Sequence, residues 1–362
     1  MYIEVIYGGA GTGKTYQLLH NLPPSSFIIL APTHTAVRNL VDRADISPDH
    51  FATIYSYFRI DYENDDLIGA VRNYKYIYID EFGLIKKELF RKILNWLDRN
   101  NRDVTLTIAG DVVQLSPIYL EERFISFNKL KKHYQHTYAH IIEHDYNSIF
   151  SLSKVRNAKK TILTKNFRSN ADVLGLIWSI FYDVSIDRIK YISITKVVTL
   201  LEAGATFISS RYSHHEVIYD LLKKRISMKQ PTQLIHNLLF YEGAKFLVAE
   251  NTKNSNNGDI LTFSYATDDV VYFNEGHCWS NDYKLLPIQL LTAHKSQGLG
   301  IDTVIVCVDD LFDSCMFYTM CTRAINNLYF FRYKEVDLLP YLQQFHQLLE
   351  YYGYILTDST GS

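Results

Sequence analysis

The sequence predicts an α/β protein built on parallel sheets, and three observations support this prediction. Short apolar runs of strand length alternate with segments of helical periodicity. A glycine-rich pattern follows the first run, and polar residues suited to phosphate, metal or water follow several later runs. Because ligands gather at the carboxyl ends of parallel strands, these observations predict a nucleotide site at one edge of a sheet.

The first strand-like run, residues 2–7, leads into a phosphate-binding loop. Gly8 is followed, after four residues, by Gly13-Lys14-Thr15, and a helix can open directly afterwards. Glycines, Gly11 among them, let several backbone N–H groups face one phosphate. Lys14 would neutralise the outer phosphates, and the Thr15 hydroxyl would hold Mg²⁺. The alternative, a glycine-rich turn without a ligand, is disfavoured because strand, spacing and the Lys-Thr pair agree.

Length and composition bound the remaining possibilities. The 362 residues suffice for two or three domains, and 47% hydrophobic with 21% charged residues is ordinary for a soluble globular protein. No run reaches the length of a membrane span, and the chain starts as a strand rather than a signal peptide. The net charge of −2 argues against an extended cationic face. The four cysteines lack zinc-site spacing and predict free thiols in a reducing compartment, which favours a cytoplasmic location.

The next apolar runs of strand length are residues 27–30, 76–79 and 105–108, and carboxylates or an amide follow the second and the third of them. Asp80-Glu81 after the second of them predicts a Walker B pair, with Asp80 on Mg²⁺, directly or through water, and Glu81 deprotonating the attacking water. Gln114 follows the third and could sense the terminal phosphate. The alternative for Asp80-Glu81 is a solvated acidic turn, and the alternative for Gln114 is an ordinary strand-to-turn junction. Residues 84–98 predict an amphipathic helix.

The second half of the chain has strand-like runs but no phosphate loop of its own. Runs at 288–291 and 304–308 flank polar motifs, and a helix at 171–181 is predicted to be capped by Ser169 or Asn170. Two arginines lie in further motifs: Arg168 just before the predicted helix at 171–181, and Arg323 near the end of a helix predicted from Phe317. A guanidinium that reaches the γ-phosphate is an arginine finger, worth about 10³ to 10⁵ in rate. A surface ion pair is the alternative for either arginine alone.

These residues resemble, in order, the motifs of superfamily 1 helicases. The HKSQG motif resembles the 5′-to-3′ branch (superfamily 1B) of the RecD and Dda type, which predicts a phage or viral relative. The similarity extends from Met1 to about Phe331 and includes an Asn256-Asn257-Gly258 stretch. The similar motifs are the phosphate loop, Ala31-Pro32-Thr33-His34, Asp80-Glu81, Gly110-Asp111 with Gln114, Asn166-Phe167-Arg168, His294-Lys295-Ser296-Gln297-Gly298 and Thr322-Arg323-Ala324.

The resemblance implies two RecA-like domains with ATP and Mg²⁺ in a cleft between them. The first would cover residues 1–155, the second 156–240 and 288–355, and a small SH3-like insertion 241–287. Arg168 and Arg323 would contact the γ-phosphate from the second domain, and Gly298 would join the nucleotide-binding residues.

By the same resemblance, single-stranded DNA would cross the top of both domains. ATP closure and release would move a monomer along one strand, 5′ to 3′, as a translocase or helicase. Replication or recombination proteins are compatible partners. The residues implied to face DNA are Pro32, Thr33, His34, Thr53, Thr292 and His294.

Three departures from the family pattern carry predictions. Only seven residues precede Gly8, where the family reads adenine, so we expect loose discrimination among nucleoside triphosphates. Residues 59–74, where the family inserts a strand-splitting pin, are few and acidic, which predicts a reduced pin and favours translocation over unwinding. The acidic residues are Asp61, Glu63, Asp65 and Asp66.

The third departure is a basic stretch, residues 129–168, which holds nine Lys or Arg and two acidic residues. A solvated charged face is favoured slightly over an extra nucleic-acid contact using Lys131, Lys132, Tyr134 and Tyr138.

Three other functions remain open at this point. An RNA helicase of the same superfamily would carry the same motifs. A nucleotide-switched clamp that binds nucleic acid without movement is disfavoured by Glu81 and the two arginines. A small-molecule P-loop kinase would leave the second half's motifs unexplained.

Overall fold

The computed structural model describes residues 1–61, 65–115, 139–250, 252, 255, 257–267 and 270–355. The chain forms two compact units, the first comprising Met1–Arg168 with Pro340–Ser362 and the second Ser169–Leu339. The sequence places the boundary at residue 155 and the C-terminal segment in the second domain. The first unit instead extends to Arg168, because a strand at Lys159–Leu163 pairs with the first strand of the chain.

The first unit is built on a sheet of six parallel strands. They are β1 (Tyr2–Gly8), β2 (Phe27–Ala31), β3 (Phe51–Thr53), β4 (Tyr76–Ile79), β5 (Thr105–Gly110) and β6 (Lys159–Leu163). From one edge to the other their order is β3-β2-β4-β5-β1-β6. Every pairing is parallel, so all six carboxyl ends lie at the same edge of the sheet.

Helices cover this sheet. They are α1 (Lys14–His20), α2 (His34–Val41), α3 (Ile54–Phe58), α4 (Lys87–Asn100), α5 (Ala139–Asn147) and α6 (Ser153–Arg156), with 3₁₀ turns at Pro48–His50, Phe82–Leu84 and Ile149–Ser151. Helix α4 confirms the amphipathic helix predicted at 84–98 and buries Leu89, Ile93 and Leu97. It starts later than predicted because the residues after Glu81 first form a 3₁₀ turn.

The second unit contains a smaller parallel sheet. Its strands are β7 (Thr206–Ser209), β15 (Leu290–Thr292), β16 (Ile301–Cys307) and β17 (Ala324–Phe331), in the order β15-β7-β16-β17. Its helices are α7 (Ala171–Phe181), α8 (Ile194–Glu202), α9 (His215–Ser227) and α10 (Ser314–Cys321), with 3₁₀ turns at Ile186–Arg188 and Tyr212–His214. Phe207, Ile218 and Ile305 are fully buried in its core. The predicted capping of α7 is confirmed for Asn170, whose side chain accepts from the Val173 N–H at 2.9 Å.

Antiparallel strands are inserted between β7 and β15. A two-stranded ribbon pairs β8 (Gln233–Ile235) with β9 (Leu238–Phe240). A five-stranded sheet follows, with β10 (Lys245–Val248), β11 (Ile260–Ala266), β12 (Val271–Phe273), β13 (Cys278–Trp279) and β14 (Leu285–Pro287), in the order β13-β12-β11-β10-β14. This sheet packs around Phe246 and Trp279. It lies within the predicted insertion at 241–287; its SH3-like class stays a prediction.

The chain then returns to the first unit. Helix α11 (Leu339–Tyr351) belongs to that unit from Pro340 onward. It packs near α5, where the His140 ring lies 3.2 Å from the Gln344 carbonyl oxygen and the His144 ring 3.1 Å from the Tyr352 hydroxyl.

In the described part of the chain, no helix is both long enough and apolar enough to cross a lipid bilayer. The four cysteines are free thiols, of which Cys307, Cys315 and Cys321 are buried and Cys278 is exposed.

Candidate nucleotide site and nucleic-acid surface

The carboxyl edge of the six-stranded sheet gathers the sequence motifs of the first unit. Each strand ends directly at, or within a few residues of, one motif. The phosphate loop follows β1, Pro32-Thr33-His34 follows β2, Thr53 ends β3, Asp80-Glu81 follows β4, Asp111 follows β5 and Asn166-Phe167-Arg168 follows β6. The motifs therefore meet at one edge of the sheet, and binding of a ligand there stays a prediction.

Two glycines of the phosphate loop, Gly8 and Gly11, lie where the backbone leaves no room for a side chain. A Cβ on Gly8 would lie 2.2 Å from the Leu163 carbonyl oxygen of β6. Gly11 has a φ of 76°, and a Cβ there would lie 2.6 Å from the Arg168 Cβ. Gly13, with a φ of 82°, precedes the first helical residue, Lys14. The loop therefore depends on close backbone packing as well as on its own turn.

Lys14 lies among the loop carbonyls and the site carboxylates. Its Nζ donates to the carbonyl oxygens of Gly8 at 2.9 Å and Gly9 at 2.7 Å. Burial lowers the pKa of the Lys14 ammonium, while Asp111 and then the Walker B carboxylates oppose that shift. Carboxylates close to a lysine are the charge pattern that a triphosphate with its metal ion would complete.

Thr15 and Asp80 meet as a pair that can hold a metal ion. The Thr15 hydroxyl donates to Asp80 Oδ2 at 2.7 Å, and Asp80 Oδ1 accepts the Glu81 N–H at 2.9 Å. Burial, with the Glu81 charge, raises the pKa of Asp80 to about 6. A hydroxyl and a carboxylate oxygen at this separation are donors that Mg²⁺ prefers. Among the described residues there is no group of three or more His, Cys, Asp or Glu that could hold a metal ion.

Glu81 has a strained backbone. Its φ of 54° and ψ of 44° lie in the left-handed region, which is uncommon for glutamate. The turn at Phe82–Leu84 begins directly after it. Strain of this kind collects at functional positions. Sequence reasoning identified Glu81 from its place after the strand and had no means to foresee its conformation.

Asp111 forms the turn that precedes Gln114. Its Oδ1 accepts the Val113 N–H at 3.1 Å and the Tyr354 hydroxyl at 2.8 Å. Asp111 is only 2% exposed, and burial raises its pKa. Gln114 lines a pocket together with Val112 and other first-unit residues. Sequence reasoning did not assign Asp111 a role; its position at the end of a buried strand, beside the predicted sensor, was the available signal.

The Asn166-Phe167-Arg168 motif docks onto the phosphate loop. The Asn166 side chain donates to the Ala10 carbonyl at 2.7 Å, and the Phe167 N–H donates to the Gly11 carbonyl at 2.8 Å. The Arg168 charge contributes to lowering the Lys14 pKa. The resemblance predicted Arg168 in the second domain. In the structure Arg168 belongs to the first unit, as the last residue of Met1–Arg168. The reason is that β6 pairs with β1 and carries the motif to the loop.

Phe167 is a residue that sequence reasoning missed as part of the site. Its side chain is 68% exposed although it is aromatic, and its ring lies 3.6 Å from where a Gly13 Cβ would be. The Lys165 ammonium lies 5.1 Å from the ring centroid. An exposed aromatic ring beside a phosphate loop can stack on a nucleotide base. Its position within the Asn166-to-Arg168 motif was the signal that could have identified it.

The chain is similar to known proteins in both sequence and structure. The family model described as an AAA domain matches residues 1–144. A structure of two coordinating Pif1 helicases unwinding forked double-stranded DNA superposes with a TM-score of 0.61 at 18% identity, covering 98% of this chain and 94% of that one. A Bacteroides Pif1 helicase with ADP-AlF3 and single-stranded DNA gives 0.58 at 18% identity, with the same coverage. Candida albicans Pif1 helicase gives 0.59 at 15%, covering 97% and 95%. No curated protein matches the chain.

The chain shares the fold of Pif1 helicases. The superpositions run over almost the whole of this chain and of the compared chains. The predicted resemblance to superfamily 1 helicases is thereby confirmed at the level of the fold, including its two parallel sheets.

In the second unit, Arg323 follows helix α10 and is buried. It is only 1% exposed, and its Nε donates to the Thr319 carbonyl at 3.1 Å. Its own carbonyl accepts the Ile301 N–H at 2.9 Å, which ties it to β16. A buried guanidinium is costly without partners, so its position is set by the packing of this unit. Its role toward a nucleotide stays a prediction.

The Thr292-to-Gly298 loop is tied to the five-stranded sheet. Thr292 is buried at the end of β15. The Lys295 Nζ donates to the Ala249 carbonyl at 2.9 Å and to Asn257 Oδ1 at 3.0 Å. Gly298 has a φ of 80°. The two stretches that the family resemblance picked out separately are therefore in contact within this unit; Asn256 lies outside the described residues.

Beside this loop lies an exposed aromatic surface. Tyr212 is 41% exposed, its hydroxyl hydrogen bonds with the Thr292 side chain, and the Lys284 ammonium lies 5.0 Å from its ring centroid. Phe312 is 52% exposed and its ring stacks 6.1 Å from that of His294. Sequence reasoning assigned roles only to Thr292 and His294. The two exposed rings and the lysine could not be singled out among many aromatic residues.

The predicted DNA-facing residues of the first unit lie on neighbouring strands. Pro32, Thr33 and His34 follow β2, and Thr53 ends β3, which pairs with β2. The hydroxyl oxygens of both threonines accept backbone N–H groups and begin helices α2 and α3. Thr53 is buried, with 4% exposure. Capping is thus an observed role of both threonines, and DNA contact stays a prediction.

Two of the four acidic residues in the segment 59–74 are paired with lysines. Asp65 pairs with Lys86 at 2.9 Å, and Asp66 pairs with Lys92 at 3.1 Å. The predicted repulsion of phosphate by these two carboxylates is therefore weaker than their formal charge suggests. Glu63 lies outside the described residues.

The basic stretch at 129–168 shows the same pattern where it is described. Lys154 pairs with Asp98, and Arg156 pairs with Asp145. These pairs fit the solvated charged face that the sequence slightly favours. The alternative contact rests on residues outside the described part of the chain, namely Lys131, Lys132, Tyr134 and Tyr138.

Proposed function

We propose that the chain is an ATP-dependent, single-stranded DNA translocase and helicase. The observation that carries the proposal is the docking of the Asn166-Phe167-Arg168 motif onto a phosphate loop whose lysine faces three carboxylates. This arrangement occurs in a chain with the fold of Pif1 helicases, and one of the compared Pif1 helicases is in complex with ADP-AlF3 and single-stranded DNA.

Each of the predicted site residues would have a separate role in hydrolysis. Backbone N–H groups of the phosphate loop and Lys14 would bind the β- and γ-phosphates. Glu81 would take the proton of the attacking water, and Gln114 would orient that water or report the state of the γ-phosphate. Arg168 and Arg323 would stabilise the charge that develops on the phosphoryl group, and Gly298 would approach the nucleotide.

The Thr15 hydroxyl and Asp80 fit Mg²⁺, which would offset phosphate charge when bound. Asp80 would remain ionised in that role. Its hydrogen bonds from Thr15 and from the Glu81 N–H favour the charged form.

The base of the nucleotide would stack on Phe167. An exposed phenyl ring offers no hydrogen-bond donor or acceptor, so it supports the predicted loose discrimination among nucleoside triphosphates. Stacking is tolerant of base identity because every base has a π-face.

DNA binding is proposed for the residues at the strand ends of each unit. Pro32, Thr33, His34 and Thr53 would contact the strand in the first unit. Thr292 and His294 would do so in the second, with Tyr212 as a base-stacking neighbour. Movement 5′ to 3′ and action as a monomer are also proposals, which rest on the family resemblance.

ATP hydrolysis with and without poly(dT) tests the proposal. We expect poly(dT) to raise turnover of the wild type by at least tenfold and Lys14→Ala to abolish it. Lys190→Ala, an exposed lysine outside the proposed site, is the control and should retain turnover. Hydrolysis by the wild type that DNA does not stimulate would contradict the proposal.

Poly(U) and tailed duplexes distinguish the proposed function from an RNA helicase and from the opposite polarity. Stimulation by poly(U) but not by poly(dT) would favour the RNA helicase. Duplexes with a 5′ or a 3′ single-stranded tail report polarity, and we expect unwinding only with the 5′ tail.

A further inference from the structure

We propose that Tyr354 is a positioning residue for hydrolysis: its hydroxyl holds Asp111 and, through Asp111, the turn that carries Gln114. The inference rests on the proposed function and extends it to a residue outside every motif.

The contact joins parts of the chain that are far apart in sequence. After helix α11 the chain reaches Tyr354, whose hydroxyl donates to Asp111 Oδ1 at 2.8 Å. Both residues are buried, Tyr354 with 9% and Asp111 with 2% exposure. The same Oδ1 accepts the Val113 N–H at 3.1 Å. One carboxylate oxygen thus connects the C-terminal segment to the turn that directly precedes Gln114.

The same segment also contacts the strand that leads into the phosphate loop. The Tyr7 hydroxyl donates to the Tyr352 carbonyl at 3.1 Å, and the Tyr7 ring packs edge-on against Tyr354 at 5.8 Å. Tyr7 directly precedes Gly8 and lies opposite Gly110 in the pairing of β1 with β5. The C-terminal segment therefore contacts the ends of both central strands, one leading to the phosphates and the other to Gln114.

The electrostatics explain why this hydroxyl matters. Asp111 Oδ2 is buried and has no hydrogen-bond partner among the described residues, so both donors act on Oδ1. A buried carboxylate with few donors is unstable as an anion. Asp111 is also the carboxylate that most strongly opposes the lowering of the Lys14 pKa by burial. Loss of the Tyr354 hydroxyl would loosen the turn at Asp111. It would also destabilise the negative charge that Asp111 places near the Lys14 ammonium.

Tyr354→Phe tests the inference because it removes the hydroxyl and keeps the packed ring. We expect kcat for ATP with saturating poly(dT) to fall by about ten- to a hundredfold, with KM for ATP within twofold and the melting temperature nearly unchanged. Tyr352→Phe is the matched control. It removes a hydroxyl from the same segment that lies against His144 instead, and kcat should stay within twofold of wild type.

A double-mutant cycle separates positioning from general support of the fold. If Tyr354 acts through Asp111, then Asp111→Asn with Tyr354→Phe should be no slower than Asp111→Asn alone. Multiplicative losses would overturn the inference. So would a wild-type kcat in Tyr354→Phe, or a loss of kcat that follows a large drop in melting temperature.

The wild type distinguishes failure of this inference from failure of the proposed function. If poly(dT) does not stimulate its turnover, the proposed function fails. The same cycle is then measured on DNA-independent hydrolysis, where non-additivity supports the inference and additivity overturns it.

Discussion

Phe167 combines an exposed aromatic ring with a fixed backbone beside the phosphate loop. Its N–H is held by the Gly11 carbonyl, so the ring stays near the loop whether or not it contacts a base. Because 68% of the side chain is exposed, the ring is accessible to a ligand.

Replacement of Phe167 tests base stacking. Phe167→Ala should weaken binding of ATP and GTP alike by about 1 kcal/mol, roughly fivefold in Kd, because the lost stacking does not depend on base identity. Titration with fluorescent analogues of both nucleotides measures this. Phe167→Tyr is the control and should bind as the wild type. A loss restricted to ATP would show that the residue reads adenine instead.

His215 is a buried histidine of the second unit that is outside the proposed chemistry. Its Nε2 lies 2.8 Å from the Ser209 hydroxyl, and burial lowers its pKa to about 4 from the usual 6.5. The pair resembles a catalytic dyad in composition, but Ser209 is fully buried. Its effect is therefore expected on stability.

The sign of that effect follows from proton binding. Between pH 6.5 and 4 the unfolded chain binds the His215 proton and the folded chain does not, so stability is retained above about pH 6.5 and falls as the pH decreases. The loss should reach about 2–3 kcal/mol near pH 4. Urea unfolding at pH 7.5 and 5.0 measures it, with His215→Gln for comparison. Equal losses in both proteins would contradict the assignment.

At the scale of elements, the exposed Tyr212 surface is the candidate DNA contact of the second unit. Tyr212 lies in a 3₁₀ turn beside the end of β15, where its hydroxyl reaches Thr292 and a lysine lies over its ring. The ring thus has a fixed orientation and a nearby positive charge, both of which favour stacking on a single strand.

Tyr212→Ala should weaken poly(dT) binding by about 1–2 kcal/mol, close to what one stacked base contributes. Fluorescence anisotropy with a labelled oligonucleotide measures the change. Tyr265, an exposed tyrosine on the five-stranded sheet, provides the control, and Tyr265→Ala should bind as the wild type. Equal weakening by the two substitutions would indicate a nonspecific effect of surface aromatics.

The strands and helices show where prediction from sequence ends. Apolar runs predicted β2, β4 and β5 closely, because fully buried parallel strands are continuous in apolar residues. Strand β6 begins with two exposed lysines and was not predicted, since its pairing with β1 is set by tertiary contacts. That missed strand is why Arg168 was placed in the wrong unit.

At the scale of the whole molecule, the order of the motifs predicted the fold with its two parallel sheets. Residue type and spacing identified Lys14, Thr15, Asp80 and Glu81, whose chemistry is local to strand ends. The Tyr354–Asp111 contact could not be predicted, because it joins the last described turn of the chain to the end of β5. Hydrophobic periodicity does not predict a contact between residues that are 243 positions apart in the sequence.

The central claim is that Arg168 and Arg323, the two predicted arginine fingers, are both required for hydrolysis. The most direct test measures nucleotide binding and poly(dT)-stimulated turnover in Arg168→Ala and Arg323→Ala. We expect each variant to bind a non-hydrolysable ATP analogue with a Kd within about threefold of the wild type. We expect kcat to fall by about 10³-fold or more. Wild-type turnover by Arg323→Ala, with the fold intact, would contradict it.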